Sequence, residues 1–220
     1  MTGVAAHHLG RVLRAEAGQL YELSDGERVW LGRVEQAERD RVEFALVEPI
    51  AGNEPSLETT LLLAVVKFDS FEWALEKATE LGVRRIIPLA AARSEKALLH
   101  AAEKRSERWK RVLVEASQQS RRVRIPELRV VQKPAAAFNG GMGFRVMLSE
   151  RPEATSLKRL LPAEGAKQAT LAIGPEGGWT EEEFAAAEAA GFQQASLGSL
   201  ILRTETAVVT ALANLNYALG

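Results

Sequence analysis

Two short segments of this chain carry residue types that could do chemistry. The first is Ile173-Gly174-Pro175-Glu176-Gly177-Gly178-Trp179-Thr180, which follows an apolar run from Thr170 and precedes an alanine-rich stretch ending at Gly191. Three glycines let backbone approach a ligand closely, and the end of a strand that feeds a helix is where α/β sheets bind small molecules. The loop lacks the Lys-Ser or Lys-Thr of a phosphate-binding P-loop, and Glu176, Glu181, Glu182 and Glu183 would repel an anion. A neutral adenosine group or a ligand carrying a sulfonium cation suits it better, although a tight strand-to-helix turn alone would give the same sequence. The second segment, Leu197-Gly198-Ser199-Leu200-Ile201-Leu202-Arg203-Thr204-Glu205-Thr206-Ala207, sets a cation, a carboxylate and two hydroxyls at the start of an apolar helix carrying Val208, Val209, Leu212 and Leu215. Its plain structural reading is a helix capped by Thr204 with Arg203 in a surface ion pair.

Other chemistries are closed off by composition. There are no cysteines, so disulfides, thiolate metal sites and cysteine nucleophiles are all excluded. His7, His8 and His100 show no paired ligand spacing, and no catalytic metal is expected. The longest apolar runs, such as Leu61 to Val66, fall far short of the ~20 residues of a membrane helix, and the first residues lack a basic and apolar leader. A cytoplasmic protein without membrane contact is expected.

These segments must be positioned by a larger frame. Gln19 to Leu23, Arg28 to Glu35 and Arg41 to Val47 read as strands, with Asp25-Gly26 as a tight hairpin turn. Pro49 to Glu58 reads as a linker, which divides the chain into domains over 1–55 and 60–220. Beyond it, Leu61 to Val66 starts a pattern of strands alternating with helices. A helix over Ser70 to Leu81, capped by Asp69 or Ser70 and closed by Gly82, precedes a strand at Arg84 to Leu89 and a long helix at Ala102 to Arg122. Strands follow near Pro126 to Val131, Arg145 to Leu148 and Thr170 to Ile173, while Pro134 to Gly143 and Pro162 to Gln168 read as loops. Thr180 and Glu183 form a capping box. The pattern predicts an α/β fold with a parallel sheet covered by helices on both faces, and ordinary topology rules would leave it unknotted.

Net charge is −1, but between Lys104 and Arg124 eight basic residues stand against Glu107 and Glu115. Such an excess is the footprint of a polyanion site or the solvated face of a charged helix. Arg11 and Arg14 add positive charge in the β-rich part, and Lys67, Arg84, Arg85 and Arg93 add more near early strand ends. Scattered clusters of this kind suit a folded RNA contacted at several phosphates.

Gly174-Pro-Glu-Gly-Gly-Trp, Leu197-Gly and Ile201-Leu-Arg-Thr-Glu-Thr-Ala207 together resemble the ribosomal RNA small subunit methyltransferase E family. So do Lys77-Ala-Thr-Glu-Leu-Gly-Val83, Glu115-Ala116, Gln119-Ser120, Arg122 and His8-Leu-Gly-Arg-Val-Leu-Arg14. The resemblance implies an N-terminal PUA-like β-barrel and a C-terminal SPOUT-type α/β domain with a deep trefoil knot, which pattern analysis does not reveal. It implies a homodimer that uses S-adenosylmethionine to methylate N3 of a uridine in 16S ribosomal RNA, free or within the small ribosomal subunit. Carried onto this chain, the cofactor residues are Leu148, Ile173, Gly174, Pro175, Glu176, Gly177, Gly178, Leu197, Gly198, Ile201, Leu202 and Ala207. Arg203, Glu205 and Thr206 stand nearest the chemistry, and Arg11, Arg14, Lys67, Arg93, Arg121, Arg122 and Arg124 are the RNA-binding candidates. The chain departs from the family on the RNA side: Met1 to Ala6 replace an Arg- and Phe-containing strand, Gln118 replaces an acidic residue, and Ser70-Phe71 replace a polar pair. Ribose 2′-hydroxyl methylation and a catalytically silent RNA-binding assembly factor are the competing readings.

Overall fold

The computed structural model describes residues 1–38, 41–52, 54–162 and 165–220. It divides into two compact units, Met1–Glu54 with Arg122–Arg124, and Pro55–Arg121 with Ile125–Gly220.

In the first unit a single helical turn, α1 (Val4–His7), runs into a wider π-turn at His8–Val12. Three strands follow, β1 (Leu20–Ser24), β2 (Val29–Ala37) and β3 (Val42–Ile50), in an antiparallel sheet of order β1-β2-β3. Its small core is Ala6, Ala15, Val34 and Val42. The chain start lies along β3: the Met1 amine donates to Val42 O at 2.9 Å, Val42 N donates to Met1 O at 3.0 Å, and Thr2 bridges Arg41. The β1–β2 connection is not the expected two-residue turn. It spans Asp25 to Arg28, because Asp25 Oδ1 accepts from Glu27 N and Arg28 N at 2.8 Å each, and only Gly26 takes positive φ. The expected linker starts too early, since Pro49 and Ile50 still pair with β2. Asn53 of that linker lies outside the described residues, as do Ala163 and Glu164 of the later loop.

The second unit runs β4 (Glu58–Ala64), α2 (Phe68–Glu80), β5 (Arg85–Leu89), α3 (Lys96–Gln119), β6 (Glu127–Leu128), α4 (Pro134–Asn139), β7 (Phe144–Leu148), β8 (Thr155–Ser156), α5 (Leu157–Leu160), β9 (Gln168–Ile173), α6 (Glu181–Ala189), β10 (Gln193–Ser196) and α7 (Thr204–Leu219). All described pairings are parallel, in the order β6-β5-β4-β9-β7-β10-β8. Side chains of a strand alternate between faces, and β4 shows the result. Leu61 and Leu63 join a core with Phe71, Leu75, Trp109, Leu113, Val208 and Leu212, under α2, α3 and α7. Leu62 and Ala64 join the other core with Phe138, Met147, Ala172, Trp179 and Phe184, under α4 and α6. The result is a parallel sheet between two helix layers, as the alternating pattern predicts.

Several boundaries differ from expectation. Helix α2 starts at Phe68 with Lys67 as its uncapped N-terminal flank, so neither Asp69 nor Ser70 caps it; Phe68 instead stacks edge-on against Trp109 at 6.2 Å. Helix α3 starts six residues early because Leu98, Leu99 and Ala102 cover the core. The stretch Pro134 to Asn139, expected as loop, is helix with a proline in its first turn and the fully buried Phe138. Strand β10 escapes sequence reading because Gln193-Gln194-Ala195-Ser196 contains one apolar side chain facing the core; its pairing with Val146–Leu148 supplies the rest. The Gly82 and Gly191 stops hold, with φ of 85° and 79°.

Phe71 is fully buried with its ring 4.6 Å from that of Trp109. Phe71→Ala should lower the unfolding free energy by about 3–5 kcal/mol. The measurement is the urea midpoint at unchanged slope, and a midpoint equal to that of the parent chain would remove this ring from the core.

Candidate functional site

Three neighbouring strands of the sheet, β9, β7 and β10, end near one another at Ile173, Leu148 and Ser196. Because the sheet is parallel, the loops that leave these ends share one side of the molecule, where α/β folds open a crevice. Hydrogen bonds stitch them together. Trp179 Nε1 donates to Leu148 O at 3.0 Å, fastening the glycine loop to the end of β7. Ser149 N donates to Ala195 O at 2.9 Å, fastening β7 to β10. Thr204 Oγ1, almost fully buried at 6% exposure, donates to Gly174 O at 3.4 Å and fastens the start of α7 to the glycine loop.

The glycine loop is therefore closed at both ends. Inside it, Gly178 N donates to Pro175 O at 2.8 Å and Gly178 adopts φ 69°, a conformation that a side chain would strain. A Cβ on Gly174 would stand 2.9 Å from the Trp179 ring, so that position is a close approach. Ile173 and Pro175 are buried, Gly174 and Gly178 half-buried, and Glu176 and Gly177 exposed. In the segment after β10, Leu197 and Leu202 pack half-buried on the main core, and Ala207 is buried on α7. Gly198 has φ 142° with open space where a side chain would be. Leu200 and Ile201 are 80% and 78% exposed, so the family-derived pocket residue Ile201 faces outward in this chain.

Arg203 is the flank of α7 and lies exposed, Glu205 is half-buried in its first turn, and Thr206 is exposed. Among the described residues neither Arg203 nor Glu205 has an ion-pair partner, so the expected surface ion pair is absent. Thr204 does not cap the helix either; its hydroxyl turns to Gly174 instead. A guanidinium and a carboxylate left unpaired at a helix start tied to the glycine loop can bind and relieve charge on a reacting group.

The basic candidates separate into different roles. Lys67, Arg11, Arg14 and Arg121 are exposed. Arg124 Nε donates to Gly26 O at 3.0 Å and so holds the β1–β2 loop, while Arg122 is half-buried. Arg93 Nη1 donates to Gly177 O at 2.8 Å, which brings an RNA-binding candidate to the glycine loop. Part of the basic stripe on α3 is an ion-paired helix face: Arg105 and Arg108 both meet Glu72, and Lys110 meets Glu107. Among the described residues no group of three or more His, Asp or Glu converges as a metal site, and no helix is long and apolar enough to cross a membrane.

The RNA methyltransferase domain family matches residues 53–216. Over 229 aligned positions the chain is 35% identical to a ribosomal RNA small subunit methyltransferase E of Synechocystis, covering all of this chain and 73% of that protein. The chain belongs to the ribosomal RNA small subunit methyltransferase E family. The Bacillus subtilis protein of that family is 29% identical across 99% of this chain and 89% of its own length. The crystal structure of the family member from Neisseria gonorrhoeae, bound to S-adenosyl methionine, superposes with a TM-score of 0.89 at 30% identity, covering 99% of this chain and 90% of that one. Similarity that extends over both units and the whole parallel sheet makes the family assignment independent of the two motifs alone.

Three side chains of this family member's site were not singled out as site residues by sequence reading. Trp179 stands inside the quoted motif and its partner is a backbone carbonyl 31 residues away, which no local pattern signals. Thr204 has the same difficulty. Glu183 is legible as half of a capping box, and both its hydrogen bonds to Thr180 form, but its Oε1 also accepts from Ala92 N at 2.8 Å.

Gly174→Ala should push the Trp179 ring off Leu148 O. A cost of about 1–3 kcal/mol is expected for overpacking of this kind. Thermal unfolding of Gly174→Ala beside Trp179→Phe checks it; a Gly174→Ala protein as stable as the parent would mean the ring is free to move.

Proposed function

We propose that this chain transfers a methyl group from S-adenosylmethionine to N3 of a uridine in 16S ribosomal RNA. The observation that carries this reading is the Thr204–Gly174 bond, which sets the unpaired Arg203 and Glu205 beside the glycine loop. The residues present fit the cofactor. Leu148, Ile173, Leu197 and Leu202 offer apolar walls, Gly174, Gly178 and Gly198 offer backbone without side chains, and the carboxylate of Glu176 complements a sulfonium. Pro175, Gly177 and Ala207 complete the proposed lining, while the outward-facing Ile201 would join it only beneath a second copy of the chain.

S-adenosylmethionine, when bound, supplies an electrophilic methyl group on a positively charged sulfur. The work left to this chain is alignment, exclusion of water and handling of one proton. Uridine N3 carries a hydrogen that must leave before its lone pair can attack. Glu205, directly or through a water, accepts that proton, and Arg203 donates hydrogen bonds to the carbonyl oxygens over which the negative charge spreads. Thr206 is one helical position further on and is proposed to orient the base. The base has to leave its stack to reach these side chains.

The finer architecture belongs to the same proposal. We take residues 1–55 as a PUA-like β-barrel unit for RNA and 60–220 as the SPOUT-type catalytic unit with a deep trefoil knot. Two register shifts in the β2–β3 pairing support curvature of the first sheet. The insertion of β9 between β4 and β7, with α7 held back onto the loop after β9, supports the knot. The exposed Leu200 and Ile201 support a homodimer in which a second copy covers this loop. Such an enzyme would act in the cytoplasm, on free RNA or on the small ribosomal subunit.

Titration calorimetry with S-adenosylmethionine is expected to give one site per subunit. Nuclease digestion and mass spectrometry of treated RNA should then show a methyl on the uracil ring; a methyl on ribose would replace the N3 reading with 2′-hydroxyl transfer. Arg203→Ala and Glu205→Gln should each lower turnover by about 10²-fold or more while leaving cofactor affinity near that of the parent. Loss of cofactor affinity in Arg203→Ala would reassign Arg203 to the cofactor pocket.

A further inference from the structure

The loop between β5 and α3 reaches the glycine loop from outside both motifs. Two hydrogen bonds brace it on either side of Arg93. Ala92 N donates to Glu183 Oε1 at 2.8 Å, and the Ser94 hydroxyl, buried, donates to Val65 O at 2.8 Å. Between these anchors stands Arg93, whose Nη1 donates to Gly177 O at 2.8 Å. The approach is close along the whole side chain: a Cβ on Gly177 would lie 3.2 Å from Arg93 Cβ, and one on Gly178 would lie 3.8 Å from Nη1.

We infer that Arg93 is a positioning residue for the cofactor loop, fixing the Gly177–Gly178 turn in its binding-ready shape. The inference rests on the proposed use of the glycine loop for S-adenosylmethionine. Adjacent glycines have more backbone freedom to lose on binding than any other pair. Inside this turn the described restraint is the Gly178–Pro175 hydrogen bond. The Arg93 bond adds a second one from a braced loop, and ordering the turn in advance raises affinity without any contact to the ligand. A charged donor is suited to this, because its bonds are stronger than those of neutral donors. Nothing in this arrangement needs RNA, whereas an arginine reserved for phosphate would gain nothing from a carbonyl partner.

Cofactor titration of the full chain comes first; a parent protein that fails to bind S-adenosylmethionine removes the proposed function, not this inference. Given a binding parent, Arg93→Ala should weaken cofactor affinity about five- to tenfold, the loss expected for one charge-assisted hydrogen bond near solvent, with its melting temperature unchanged. Hydrogen exchange at the Gly178 amide should quicken in the same variant. Arg93→Lys, which keeps a cationic donor, should recover most of the affinity. RNA binding by Arg93→Ala should keep the parent's salt dependence. Parent-like cofactor affinity in Arg93→Ala overturns the inference. So does a salt slope reduced by about one, the mark of a lost phosphate contact, or a joint fall in melting temperature and affinity that lysine does not rescue.

Discussion

Trp179 is the point at which the site depends on the core. Its ring is 5% exposed and lies edge-on to Phe138 at 5.9 Å in the smaller core, while its indole N–H reaches Leu148 O at the end of β7. A buried indole N–H needs an acceptor, and here the acceptor is the carbonyl where β7 stops being sheet. The same ring limits position 174 to glycine. Hydrophobic packing behind the sheet therefore dictates backbone shape in front of it, and the loop's geometry is inherited from the core rather than set by its own short sequence.

Glu183 shows the same economy in polar form. Its carboxylate accepts from Thr180 N and Thr180 Oγ1 through one oxygen and from Ala92 N through the other, at 8% residue exposure. Burying a carboxylate is costly unless its lone pairs are used, and here they are used by two loops at once. The start of α6 and the β5–α3 loop are thereby held in one arrangement, which is what gives Arg93 a fixed base from which to reach Gly177.

How much of this was legible depended on whether the cause was local. The α6 capping box and the Gly82 and Gly191 stops are set by neighbours in sequence, and each is where residue pattern puts it, whereas β4 spans Glu58–Ala64 instead of starting at Leu61 and running to Val66. The two candidate segments also stand out in the sequence, since glycine clusters and an Arg-Thr-Glu-Thr run differ from ordinary helix and strand. The strand order was not. Nothing in Gln168–Ile173 says that it will insert between β4 and β7, because its alternation fits any parallel position. Strand β10, built from Gln, Ala and Ser, exists only through its partners, and α4 hides behind a proline that reads as a loop signal yet suits the first turn of a helix. The hydrogen bonds of Trp179, Thr204 and Arg93 link residues 31, 30 and 84 positions apart, beyond any local rule.

The charge distribution constrains how the proposed RNA could be held. With net charge −1, the protein lacks a long-range field to gather a polyanion. Two stripe arginines, Arg105 and Arg108, are spent on Glu72, Arg124 is spent on Gly26 O, and Arg93 is engaged by Gly177. The exposed cations that remain among the candidates, Arg11, Arg14 and Lys67, are few and scattered over both units. A handful of phosphate contacts gives weak binding with a shallow salt dependence, since the salt slope grows with the number of phosphates neutralised. Under the proposed function, selectivity for one uridine then has to come from the shape of a folded RNA and from Arg203 and Glu205, since charge alone supplies too little.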